Sequence, residues 1–169
     1  MGSKQTSETN KNVVGSVMVV GGGIAGLTAA LDIAQAGYPV LLVERGAALG
    51  GHVREWASLY ATGDAPRTGP DMLRELITAV TAHPLIQVHM PAQLADLEGY
   101  LGNFRATIAL DAFQQGQPLT LSAEIGALIL ATGFDLYAQT KLPEYGGDRL
   151  PDVVSTLDFE RMLASRDLR

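Results

Sequence analysis

The chain has 169 residues, 47% of them hydrophobic, with 19 glycines and a formal net charge of −6. That length suits one domain with a sizeable core, and the acidic balance without a basic run excludes nucleic acid as an expected partner. There is no cysteine, which rules out disulfides, thiolate nucleophiles, a redox cysteine pair and cysteine-ligated iron–sulfur clusters within these residues.

The polar opening MGSKQTSETNKN leads us to assign residues 1–15 to a flexible tail and 16–169 to one folded unit. No apolar stretch is long enough to span a membrane, and no charged-then-apolar signal opens the chain, so a cytoplasmic location is the default expectation. VMVV at 17–20 reads as a buried parallel strand. Gly21, Gly23 and Gly26 follow as G-x-G-x-x-G, with Ile24, Leu27 and Leu31 at helical spacing behind them. VLLV at 40–43 is a second strand that ends in Glu44. A dinucleotide needs each of these parts. The first glycine permits the tight turn, the second admits the pyrophosphate, and the third lets the helix pack on the strand. The helix N-terminus, with Ile24 and Ala25, offers amide groups and positive dipole to phosphate. Glu44 can accept the adenosine ribose hydroxyls, and an acid there argues against a ribose phosphate.

Residues 70–82 form an amphipathic helix with Met72, Leu73, Leu76, Ile77 and Val80 on one face. Thr68 or Gly69 caps it, Pro70 suits its first turn, and His83-Pro84 ends it. Residues 86–90 make a third parallel strand. Segments 94–97, 104–110 and 119–125 read as short antiparallel strands, the last two with clear alternation, with turns at Gly102-Asn103 and 114–117. ALIL at 127–130 returns to the parallel sheet, and a short helix over 156–163 follows a loop-rich stretch. His83 reads as a helix-end residue and His89 as a packing residue. Trp56, Tyr60 and Tyr100 read as core or interface, with core favoured.

Two further motifs choose among dinucleotides. ALGGH at 48–52 places Gly50 and Gly51 just after the second strand, and ALILATG at 127–133 ends a late strand in a small turn. Together with the first glycine motif they resemble the FAD domains of two-dinucleotide-domain flavoproteins. The fold expected is therefore α/β: a Rossmann-like FAD-binding domain with a parallel sheet and a three-stranded β-meander. In such domains the glycine pair lies against the pyrophosphate and ribityl chain, and the ATG turn brings Ala131, Thr132 and Gly133 to the cofactor. Arg45 lies beside the adenosine or is simply solvated. His52 approaches the ribityl or flavin edge or packs its loop. Leu94 follows the third strand, where this fold uses backbone groups against adenine.

The resemblance then narrows. VVGGGIAGLTAALDIAQAGYPVLLVER at 19–45, LGGH at 49–52, HPLIQV at 83–88, EGYLGNF at 98–104, ALILATGFDLY at 127–137 and PEYGGDRLPDVVSTLDFERML at 143–163 resemble the flavoprotein (A-type) component of heterodisulfide reductase. They also resemble its counterpart in the quinone-interacting membrane-bound oxidoreductase of sulfate reducers. EGYLGNF and the final segment carry the subfamily assignment. The resemblance implies FAD as cofactor and electron transfer between flavin and iron–sulfur partner subunits. It departs in two ways: GDAPRTGPDM at 63–72 lacks the cysteines the family commonly has there, and the family's chains run much longer. The expectation is a partial FAD-binding domain, weak in FAD retention on its own and prone to self-association through uncovered apolar surface. No residue reads as a general acid, base or nucleophile, so flavin would do the redox work. Two other readings stand beside it: a non-catalytic FAD or nucleotide-binding module, and a piece of an NAD(P)-linked flavin reductase.

Overall fold

A computed structural model describes residues 13–57, 68–114, 117–147 and 149–165. Tyr60, residues 64–67 and residues 1–12 of the assigned tail lie outside the described residues. Val14 N–H donates to the Gly102 carbonyl at 3.0 Å, so the chain is tied to the domain from that point.

Four short strands build a parallel sheet: β1 (Val17–Val20), β2 (Val40–Val43), β3 (Ile86–His89) and β7 (Ala127–Leu130), in the order β3-β2-β1-β7. Three longer strands, β4 (Ala92–Tyr100), β5 (Asn103–Gln114) and β6 (Gln117–Ile125), form the antiparallel meander. Helices α1 (Ile24–Gln35) and α2 (Gly69–Ala82) follow β1 and precede β3. The expected strands and helices all appear. The meander strands run longer than their alternating cores, and β3 stops at His89, one residue before its expected end.

The parallel strands are nearly continuous in apolar residues because both sheet faces are covered. Val19, Val40 and Leu42 pack with Leu27, Ala30 and Ala34 of α1 and Leu73 and Val80 of α2. Met18 and Val43 turn the other way and pack with Ala92, Ala106, Ile108 and Ile125 of the meander. The result is three layers: helices, parallel sheet, meander. Trp56 packs partly buried against the helix-side core, as expected. Tyr100 does not: it is 56% exposed. It ends β4, where the strand has run past the part of the meander that covers the sheet.

Thr68 caps α2 by accepting from Asp71 N–H at 3.2 Å, and Pro70 occupies the first turn. Helix α3 (Thr156–Ser165) is capped by Ser155, which accepts from Asp158 N–H at 3.1 Å. It is fastened to the segment after β2: Arg161 pairs with Glu55, and Ala57 N–H donates to Glu160 at 2.9 Å.

One contact fixes how α1 meets the sheet. A Cβ on Gly26 would stand 1.8 Å from the Gly21 carbonyl oxygen. Gly26→Ala must therefore push the helix off the strand end, and we expect a loss of about 3 kcal/mol, the upper part of the range for overpacking. Urea unfolding should show a lowered midpoint, and an unchanged midpoint would contradict the packing described.

The Ser155 hydroxyl, which donates to Asp158 at 2.6 Å, holds that carboxyl below its ordinary pKa, and Arg161 adds to the effect. A depressed carboxylate stabilises the folded state above its unfolded pKa and loses that contribution as pH falls through the lower folded value. Hydrogen exchange of α3 should therefore quicken on acidification below about pH 4, ahead of the parallel sheet. Equal acid sensitivity in sheet and α3 would refute it.

Candidate functional site

The carboxyl ends of the parallel strands meet at a cavity of about 580 Å³. This is where open α/β sheets place ligands. The chain leaves β1 through Gly21, whose φ of +111° only glycine adopts readily. It then enters α1 at Ile24, so the helix N-terminus faces the cavity with its first amides outside the helical ladder. A Cβ on Gly23 would meet nothing within 4 Å. The space beside that backbone is open.

The second glycine segment lies directly on the first. Gly50 N–H donates to the Gly22 carbonyl at 2.7 Å, and Gly23 and Gly50 form a parallel bridge. Gly50 and Gly51 both have positive φ, at +113° and +54°. A Cβ on Gly51 would come within 3.3 Å of the Gly23 Cα. A short 3-10 turn, Gly51–Glu55, then carries His52 along the cavity wall.

Glu44 does more than end β2. Its Oε2 accepts from Gly22 N–H at 2.5 Å and its Oε1 from Gly46 N–H at 2.6 Å. Its main chain also joins β3 to the meander: Glu44 N–H donates to His89 O at 3.0 Å, and Ala92 N–H donates to Glu44 O at 2.8 Å. The carboxylate therefore braces the glycine turn and keeps lone pairs for a further donor. The position of Glu44 at the end of β2 was legible in sequence. The brace was not, because its donors are main-chain amides.

The structure brings Gly21, Gly23, Ile24, Ala25, Glu44, Arg45, Gly51, His52, Leu94, Ala131, Thr132 and Gly133 to this one cavity. Gly26 does not line it; that glycine lies beneath, at the helix–strand contact. Gln93, Phe134 and Asp135 line the cavity and were not anticipated. The last two cross it. Arg45 Nη2 donates to Asp135 at 2.9 Å, and His52 Nε2 lies 2.9 Å from the Phe134 carbonyl oxygen, with the two rings 5.0 Å apart. His83 caps the end of α2 as expected. His89 packs at the end of β3, its Nε2 buried without a hydrogen-bond partner. Among the described residues there is no cluster of His, Cys, Asp or Glu able to hold a metal ion, and no helix is long and apolar enough to cross a membrane.

Comparison with known proteins agrees with this geometry. The description NAD(P)-binding Rossmann-like domain matches residues 19–75. The iron–sulfur A component of CoB–CoM heterodisulfide reductase from Methanocaldococcus jannaschii is 37% identical, over 88% of this chain and 33% of its own length. One of the corresponding proteins of Methanopyrus kandleri is 27% identical, over 89% of this chain and 33% of its own. The chain is a homologue of the heterodisulfide reductase A components. It spans about one third of the length of these curated relatives. Thioredoxin reductase of Streptococcus pyogenes superposes with a TM-score of 0.56 at 20% identity, covering 75% of this chain and 38% of that one, and so shares the fold. The Rossmann-like α/β fold read from the sequence is the fold of this homologue.

The brace on Glu44 has a measurable cost when altered. In Glu44→Gln one side-chain oxygen becomes an amide that must donate, facing a main-chain N–H. We expect the ligand-free protein to lose about 1 to 3 kcal/mol, the penalty for an unsatisfied, partly buried donor. Differential scanning calorimetry without nucleotide is the check. An unshifted transition would mean that the two amide contacts contribute nothing to the fold.

Proposed function

We propose that this chain forms the dinucleotide site of an FAD-dependent oxidoreductase of the heterodisulfide reductase A type, which passes electrons between flavin and iron–sulfur partner proteins. One observation carries the reading: two glycine segments, 19–26 and 48–52, are hydrogen-bonded to each other at the mouth of one cavity, over the N-terminus of α1. A single glycine turn serves any nucleotide. A second laid on the first, with the 131–133 turn opposite, suits the long pyrophosphate and ribityl chain of FAD.

The residues present fit that group. The open space beside Gly23 is where a pyrophosphate would approach the backbone, and the Ile24 and Ala25 amides at the start of α1 would donate to it. Glu44 would accept the adenosine ribose hydroxyls with lone pairs that Gly22 and Gly46 leave free. Leu94 and Gln93, past β3, would border the adenine. Gly51, His52, Thr132 and Gly133 would border the ribityl and flavin end. Bound flavin supplies hydride and single-electron transfer. These residues bind and orient it; partner subunits are supported by the homologues' being components of heterodisulfide reductase complexes, and their iron–sulfur nature is part of the proposal. We further propose that residues 16–169 act as one partial FAD-binding domain within that larger reaction unit.

The Rossmann-like match at 19–75, described as NAD(P)-binding, favours a second reading: a piece of a nicotinamide-linked reductase. Flavin absorbance of the purified protein separates the two. Gly23→Val tests the site itself. Its Cβ meets nothing within 4 Å in the ligand-free protein, so circular dichroism should be unchanged, while affinity for FAD should fall at least about a hundredfold, roughly 3 kcal/mol. Unchanged affinity in a folded variant would refute the reading.

A further inference from the structure

Arg45 stands beside Glu44 at the exit of β2 and lines the cavity. In dinucleotide folds an arginine near the ribose acid is what accommodates a phosphate on the adenosine ribose. The pair Glu44-Arg45 is thus ambiguous in sequence: the acid repels such a phosphate and the cation attracts it.

The structure resolves that ambiguity. Arg45 Nη2 donates to Asp135 Oδ1 at 2.9 Å. β2 and β7 flank β1 in the sheet, so the guanidinium reaches over the end of β1 to a residue just past β7. The segment that carries Asp135 is held in turn by its neighbour, whose carbonyl lies 2.9 Å from His52 Nε2 and whose ring lies 5.0 Å from the imidazole. Meanwhile the Glu44 carboxylate is fixed by two amides and cannot swing to meet Arg45 without releasing them.

We infer that Asp135 is a specificity-determining residue of this cavity. It draws Arg45 across the glycine turn and cancels its charge, so that the site takes adenosine dinucleotides with a free ribose 2′-hydroxyl and discriminates against 2′-phosphorylated ones. The inference rests on the dinucleotide reading above. Removing the carboxylate releases Arg45 and deletes a negative charge at the same time, and both changes favour a 2′-phosphate. The side chains are 67% and 80% exposed, so the effect is that of one solvent-screened pair, at most about fivefold, and it shrinks as salt is added.

The test is calorimetric titration of the protein with ADP-ribose and with its 2′-phosphate, in the unaltered chain, Asp135→Asn, Arg45→Met and the double variant. We expect the unaltered protein to prefer ADP-ribose, Asp135→Asn to narrow that preference by up to about fivefold, and the same substitution to narrow it less when made in Arg45→Met, where only the charge deletion remains. An unchanged preference in Asp135→Asn would overturn the inference. So would equal narrowing with and without Arg45, since the discrimination would then not run through that residue. An unaltered protein that binds neither compound would instead overturn the dinucleotide reading on which the inference stands.

Discussion

No side chain fits between the first turn of α1 and the end of β1. Gly26 lies so close to the Gly21 carbonyl that even a methyl group is excluded, and this contact sets the pitch at which the helix leaves the sheet. Its direction follows from the same contact. The N-terminus of α1 is aimed at the space beyond β1, where the unpaired amides and the helix dipole favour negative charge. A looser approach would leave the same sequence with a helix, a sheet and no focused anion site.

The remaining layers serve to hold that end of the sheet rigid. Strands four residues long cannot do so alone. They are stabilised on one face by α1 and α2 and on the other by the meander, with neighbouring residues of β1 pointing into opposite cores. Glu44 completes the arrangement from the side. Its carboxylate ties the glycine turn to the end of β2, and its main chain joins β3 to β4.

Much of this was legible. Short apolar runs marked β1, β2 and β7, the spacing of Met72, Leu73, Leu76, Ile77 and Val80 marked α2, and alternation marked β5 and β6, because each of these signals is local. What stayed hidden was tertiary. The 3-10 turns at Gly51–Glu55, Gln139–Lys141 and Pro143–Tyr145 are too short to show a period. Phe134 and Asp135 meet partners 82 and 90 residues away, and nothing in their own neighbourhood marks them. Tyr100 misled because an aromatic is favoured for the core, whereas it stands at the end of β4, beyond the surface that would bury it.

The cavity has walls from four stretches that are far apart in sequence: the turns after β1 and β2, the start of the meander, and the exit of β7. The first two can form early, since their strands and helix are near neighbours along the chain. The last cannot, because β7 pairs with β1 across more than a hundred residues of intervening chain. During synthesis the glycine turn therefore exists before there is any enclosure around it. An enclosed cavity is thus a molecular signature of a finished fold: a ligand bound there would be retained only by a chain that has joined β7 to β1, and would bias that chain against reopening.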